Sequence, residues 1–357
     1  MVFMKVLHNF SKYFLIAAFS SVCFSDQVQE KALNVQTPPP SVIEKELVDA
    51  EKEFSDAKKM FNPWYTGPLL APSATLIDPG SYNIQPYLFV TWEYGKYQQS
   101  GKMERSPTLF QLYPQMPFQF GITNWMEGII TVKAQYNHEN GRSFFDIADL
   151  PVSLGFPLLK QGPYVPAILF SIQEVFPTGK YQKLNPTKNG IDATGAGAYT
   201  TNLYLNFAKV VWWWWLAHPM AFRLSLEYSL PSHVSVKGFN AYGGGYDTNG
   251  KVHPGQTFSA DFGYEFSFTQ NWALALDIVY NYSLKTTFDG YPGRVSQDVQ
   301  APLASVGGPY NDQLSVAPAV EYNWNENLGV IVGAWFTLWG RNSTAFASGV
   351  FSVTYSF

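Results

Sequence analysis

The chain has 357 residues, rich in aromatics (28 Phe, 22 Tyr and 11 Trp), with few charged residues and a net charge of -4. That mild acidity gives no reason to expect a nucleic-acid partner, and the single Cys23 excludes an internal disulfide framework or a thiolate metal cluster. Mean hydropathy is only -0.10, and no run beyond the N-terminus approaches the roughly 20 apolar residues that a membrane-spanning helix needs.

The N-terminus has the layout of a signal peptide. Lys5 and Lys12 precede the apolar run 13–19, and small or polar residues lead to Ser25. The reading is a signal peptide over 1–25, removed together with Cys23. Residues 26–79 then read as a periplasmic linker containing an amphipathic helix over 41–61. Val42, Ile43, Leu47, Ala50, Phe54, Ala57, Met60 and Phe61 share one stripe of it, and Ser41 with Glu44 forms a capping box. Three roles compete for this helix: a periplasmic helix, a lumen plug or a short oligomerising coil. A solvated helix beside a barrel mouth is the simplest.

From residue 80 the pattern changes to a period of two, the signature of strands with one oily and one polar face. In 82–94, Ile84, Leu88, Val90, Trp92 and Tyr94 alternate with Asn83, Gln85, Thr91 and Glu93. Further strands are expected at 107–121, 127–137, 144–157, 163–175 and 197–210. The fourth and fifth of the series alternate poorly. The later strands, at 219–230, 256–268, 271–285, 313–323, 328–338 and 345–357, are cleaner. In 271–285, for example, Leu274, Leu276, Ile278 and Tyr280 oppose Asp277, Asn281 and Ser283.

Twelve strands is an even number, as closure of an antiparallel barrel requires when both ends lie on one side. The connections sort by length. Short ones fall at 123–126, 158–162, 211–218, 269–270 and 324–327, and long ones at 176–196, 231–255 and 286–312. Short periplasmic turns against long external loops are the outer-membrane asymmetry. The fold class is therefore all-β: a closed antiparallel transmembrane β-barrel of about 12 strands over 80–357, with a short N-terminal helix, in the bacterial outer membrane. Outer-membrane lipid is its first partner. Trp212, Trp213, Trp214 and Trp215, with Trp272 and Trp324, are assigned to an aromatic girdle at the periplasmic edge.

Turning the polar faces inward makes Glu93, Lys133, Arg223, Glu227, Asp261, Glu265, Asp277, Lys285 and Glu321 the lumen-lining candidates. Acids outnumber bases, so an open channel would weakly favour cations. In the competing reading these charges pair and fill the barrel, Arg223 meeting Glu227 and the Asp261–Glu265 strand. No catalytic, metal or cofactor site is expected. The chain carries neither HExxH nor Gly-x-Ser-x-Gly, and its histidines lie in loops and turns.

Two segments carry a resemblance. The run Phe176-Pro177-Thr178-Gly179-Lys180-Tyr181 opens a long loop after a strand. The chain ends on Phe351, Val353, Tyr355 and Phe357 in alternation with small polar residues. The first is similar to a Pro-Thr-Gly segment of the outer-membrane barrel family named for transport in the meta-pathway of phenol degradation, over about 80–357. The second resembles the aromatic-ended insertion signal of outer-membrane proteins, which implies the barrel-assembly machinery as a partner. The resemblance implies passage of small hydrophobic or aromatic compounds and assigns no solute-binding residue. Two functions follow: transport of small solutes through the lumen, or a structural or host-facing surface protein acting through its long loops.

Overall fold

The structure is a computed structural model that describes residues 39–60, 64–212 and 218–357. The stretch assigned to a signal peptide, Phe61, and Trp213, Trp214 and Trp215 lie outside the described residues. The first element is α1 (Pro40–Met60), and the chain divides into two units inside it, between Val48 and Asp49. Pro40 occupies the first turn, where a missing N–H costs nothing, and the Val42 amide donates to Pro39 O at 2.8 Å. Ser41 therefore lies inside the helix and not at its cap.

The rest is strand. The wall begins with β1 (Tyr82–Ile84) and β2 (Tyr87–Tyr97), one strand interrupted at Pro86, which has no N–H to give to a ladder. It continues through β3 (Met103–Thr123) and β4 (Met126–Glu139), then β5 (Arg142–Ile147) and β6 (Leu150–Leu159). β5 and β6 both pair with β4 and are a second interrupted strand, broken at Ala148-Asp149. Next come β7 (Ala167–Phe176), β8 (Thr200–Val211) and β9 (Met220–Pro231). β10 (Val234–Lys237) and β11 (Asn249–His253) leave the wall, and β12 (Thr257–Ser267) and β13 (Trp272–Ser283) rejoin it. β14 (Thr287–Tyr291) leaves again before β15 (Asn311–Asn323), β16 (Leu328–Arg341) and β17 (Thr344–Ser356). Neighbours are antiparallel throughout. β17 pairs with β2 from Thr344↔Lys96 to Ser352↔Tyr87 and with β1 at Asn83↔Ser356, which closes a 12-strand barrel.

The alternation sorts inside from outside. On β13, Trp272, Leu274, Leu276 and Ile278 are exposed, while Ala273, Ala275, Asp277 and Val279 are buried. Glu265, Asp277 and Glu321 are fully buried, and Leu274, Val320, Val332 and Phe351 lie on the open surface. A closed wall with carboxylates inside and Leu, Val and Phe outside is stable only when lipid solvates the exterior. The protein is an outer-membrane barrel.

The two irregular strands have physical causes. β5–β6 is broken at Ala148-Asp149 and carries Pro151 and Pro157. β7 breaks the polar-in rule because its inward Ala167 and Leu169 are apolar, and they pack on Ala74 from an inserted segment. The long loops are also more ordered than loop composition suggests. β10, β11 and β14 form a three-stranded sheet of their own. Val234, Val236 and Val252 are buried with Ala198 beneath Tyr181, Tyr242, Phe288 and Val306.

Candidate functional site

Residues 64–79 run inside the barrel. This stretch carries Pro68, Pro72 and Pro79 and forms neither helix nor ladder, so its remaining amides must find other acceptors. Four of them, those of Thr66, Leu70, Ala71 and Ile77, find the inward carboxylates of the wall. The chain enters at the short-turn end, where the Trp64 amide donates to Gln270 O at 3.4 Å and Asn323 Nδ2 donates to Trp64 O. Tyr65 Oη donates to Pro219 O at 2.9 Å, and desolvation raises its phenol pKa well above the ordinary value, which keeps it a donor. The Thr66 amide reaches Glu321 Oε2 at 3.0 Å, and Thr66 Oγ1 donates to Asn323 Oδ1 at 2.7 Å.

The segment then climbs to the middle of the wall and turns back. The Leu70 and Ala71 amides donate to the two oxygens of Asp277, at 3.2 and 3.0 Å. Leu69 fills a seat made by inward Phe89, Ala275, Ala317, Ala319, Ile331 and Val350. The small alanines on β13 and β15 give it room. On the way down, Ala74 packs on Ala167 and Leu169, and the Ile77 amide meets Glu127 Oε2 at 3.0 Å. Gln119 Nε2 donates to that same oxygen at 3.0 Å. Pro79 finally bridges to Gly121, back at the short-turn end. The path is an inverted U hung from Glu321, Asp277 and Glu127.

Asp261, Glu265, Asp277 and Glu321 lie on the consecutive wall strands β12, β13 and β15. Arg223 of β9 is the cation among them, its Nε 3.3 Å from Glu265 Oε2 and its Nη1 3.5 Å from Ala71 O. Glu227 does not join this pair. It accepts from Ser229 Oγ at 3.1 Å and bonds Tyr204, with Lys133 as the nearby cation. The single network expected around Arg223 is therefore two networks, because Glu227 lies four residues further up β9.

Above and beside the loop the lumen has two different faces. One is an amide belt. Gln111 and Gln135 both donate to Asn137 Oδ1 at 2.9 Å, Gln173 donates to Ser153 Oγ at 2.8 Å, and Asn202 donates to Gln173 Oε1 at 2.9 Å. The other is aromatic. Tyr87 stacks on Phe89 at 5.8 Å, Phe89 meets Trp335 edge-on at 6.2 Å, and Trp335 meets Phe346 at 4.7 Å. A cavity of about 680 Å³ lies between the inserted loop and the wall, lined by Thr66, Tyr87, Gln115, Glu127, Gln173 and Arg223 among others.

The Pro-Thr-Gly segment has a structural task. Thr178 Oγ1 donates to Ala148 O at 2.7 Å, and Asp149 accepts the Gly179 and Ala196 amides at 2.9 and 2.8 Å. The outer loop is thus fastened at both ends to the break between β5 and β6. Asn137 Nδ2 reaches Ile191 O at 2.7 Å and ties the loop to the amide belt.

Most sequence-assigned positions fall where the alternation put them. Glu93, Lys133, Arg223, Glu227, Asp261, Glu265, Asp277 and Glu321 are on wall strands and buried or half-buried. Lys285 is not. It is exposed and two residues past the end of β13, where the chain leaves for the outer sheet, so it does not line the lumen. Trp272 and Trp324 are exposed at the short-turn edge, bridged by Tyr322 at 4.7 and 5.0 Å. Trp212 is buried, 5% exposed, and does not present itself to lipid. Phe351, Tyr355 and Phe357 are exposed and Val353 is half-buried. Glu127, Asn137 and Asp149 were not singled out from sequence. Glu127 begins a strand on its polar parity, and that signal was available.

The chain matches no family model and no curated protein sequence. Among solved structures it is similar to the COG4313 outer membrane channel from Pseudomonas putida F1. The TM-score is 0.59 at 9% identity, with 80% of this chain and 98% of that one covered. The translocator domain of the autotransporter NalP from Neisseria meningitidis superposes with a TM-score of 0.43 at 10% identity, over 89% of this chain and 98% of that one. A TodX deltaS2S3 mutant monoaromatic hydrocarbon channel gives 0.40 at 11% identity, over 82% and 92%.

Proposed function

We propose that the protein is an outer-membrane channel for small solutes, and not an enzyme, whose periplasmic half is closed by the loop 64–79. One observation carries this reading. The loop is held by hydrogen bonds from its backbone amides to Glu321, Asp277 and Glu127, and its ladder contact at Pro79–Gly121 is a single bridge. Each such bond contributes about 0.5–1.5 kcal/mol net. Such a loop can leave while the 12-strand wall stays closed. Side chains that merely filled a barrel would have no such exit.

The solute class follows from the two faces of the lumen. Once Leu69 leaves its seat, an amide belt opposite Tyr87, Phe89 and Trp335 suits a small molecule with one apolar ring face and a hydrogen-bonding edge. The acidic strands β12, β13 and β15 disfavour anions. The terminal Phe351, Val353, Tyr355 and Phe357 serve as the signal read by the barrel-assembly machinery, and residues 1–25 direct export.

The test is solute flux into liposomes carrying the protein, with phenol and an aliphatic alcohol of similar size as solutes. Replacing 64–79 by a Gly-Ser linker should raise flux of both. Phenol should be the faster of the two in the intact protein. A folded barrel that stays sealed after the replacement would overturn the channel reading.

A further inference from the structure

The helix α1 contains a repeat that the barrel does not use. Residues 44–50 read EKELVDA and 51–57 read EKEFSDA, so five of the seven positions recur in place. Both heptads lie inside the helix, which spans Pro40–Met60. Ile43, Leu47, Ala50, Phe54 and Ala57 follow one another at alternating steps of four and three, a mean period of 3.5. Lys45, Lys52 and Lys59 recur on the opposite register, and Glu44, Glu46, Glu51 and Glu53 flank the seam. A helix that rests on a globular surface needs a period near 3.6, and nothing then requires a strict repeat of seven. A sustained repeat of seven is what two supercoiled helices require.

The first two seam residues are open among the described residues. Ile43 and Leu47 are 43% and 57% exposed. A single helix of this length gains little stability in water without a packed face. We propose that a second copy of this chain covers it, as a parallel two-helix coiled coil in the periplasm, with Leu47 and Phe54 at the a positions and Ile43, Ala50 and Ala57 at the d positions.

The membrane supplies the geometry. Copies inserted with the same sidedness present their helices parallel, and confinement to one bilayer raises their effective concentration. Met60 is four residues from Trp64, and Trp64 is bonded to the turn between β12 and β13. The helix is thus joined to the barrel's inserted loop by a connection of three residues in the sequence. In this register Glu53 faces Lys58 of the second copy, an attractive pair, and Glu46 faces Glu51, a repulsive one. The two pairs offset one another, and the association is accordingly weak enough to need the membrane.

The test is disulfide cross-linking of the full-length protein in outer membranes, in a Cys23→Ser background. Ala50→Cys places a thiol on the seam, and Lys52→Cys places one on the far side of the same turn. A cross-linked species of twice the chain mass from Ala50→Cys and not from Lys52→Cys is expected. A Leu47→Asp change added to Ala50→Cys should abolish it while the barrel keeps its heat-modifiable mobility. Cross-linking at both positions, at neither, or to a species of another mass would overturn the proposal.

Discussion

The Ala71 amide donates to Asp277 Oδ1 across 206 residues of sequence, at 3.0 Å, and both groups are buried. The Leu70 amide takes the other oxygen. One wall side chain thus satisfies both amides at the top of the inserted loop, at the level where Leu69 enters its apolar seat. Polar satisfaction and apolar burial act on adjacent residues there, so the apex is the firmest point of the plug.

Asp277→Ala should open the channel. It strands two amides at the loop apex, that of Ala71 fully buried, a cost of about 1–3 kcal/mol for each donor left unsatisfied. Single-channel conductance in planar bilayers should rise several-fold, with Asp277→Asn intermediate because one oxygen remains. Wild-type conductance from a folded Asp277→Ala barrel would show that the apex is not the latch.

Gly67 is the joint between the Glu321 anchor and the Asp277 apex. Its φ of +105° is unfavourable for any L side chain, and an added Cβ would lie 2.8 Å from Arg223 Nη1. Gly67→Ala should loosen the loop by about 1–3 kcal/mol of backbone strain and steric displacement. Liposome flux should increase while the melting of the wall, followed by circular dichroism, stays unchanged. Adding Arg223→Ala should relieve only the steric part.

Asp149→Ala should release the outer loop at both ends, since Asp149 accepts the Gly179 and Ala196 amides. Hydrogen exchange at those two amides should accelerate tenfold or more, the equivalent of about 1.4 kcal/mol of lost protection. Protection of the β12–β13 ladder should not change, because those strands lie elsewhere in the wall.

Trp335 is held within the aromatic face by one polar and two ring contacts. Its indole Nε1 donates to Ser315 Oγ at 2.9 Å, and its ring contacts Phe89 and Phe346. Trp335→Leu should lower flux of an aromatic solute about 2- to 10-fold relative to an aliphatic one, since one ring–ring contact contributes about 0.5–1.5 kcal/mol. Equal effects on both solutes in the liposome assay would argue against ring recognition.

Phe357 closes the seam between the first and last strands. It exchanges backbone bonds with Tyr82 at 2.8 and 2.9 Å and stacks on that ring at 5.6 Å. Deleting Phe357 should reduce the folded protein recovered from outer membranes of cells more than it reduces refolding in detergent. Equal yields in cells would remove it from the insertion signal.

The wall was legible because alternation is a local property. Each of the 12 wall strands has a counterpart in the reading from sequence, and the parity of Glu93, Arg223, Asp261, Asp277 and Glu321 predicted which face they occupy. Parity fails where a strand stops, and so Lys285 was carried two residues too far. It also weakens where the inward face is apolar. β7 reads as irregular because Ala167 and Leu169 serve a segment about 90 residues away, and nothing in the local pattern reports that partner.

The sequence by itself determined the barrel, its membrane and the acidic character of its interior, since these depend on periodicities and charges counted along the chain. Only the tertiary structure decided what the acids do. Residues 64–79 have no period and too many prolines for one, so their position depends on contacts up to 259 residues apart, such as Asn323 with Trp64. A stretch of unpaired amides beside a ring of inward carboxylates is complementary in chemistry but not in sequence. That complementarity appears once closure of β17 on β1 and β2 has set Glu127 of β4 across the lumen from Asp277 and Glu321 of β13 and β15.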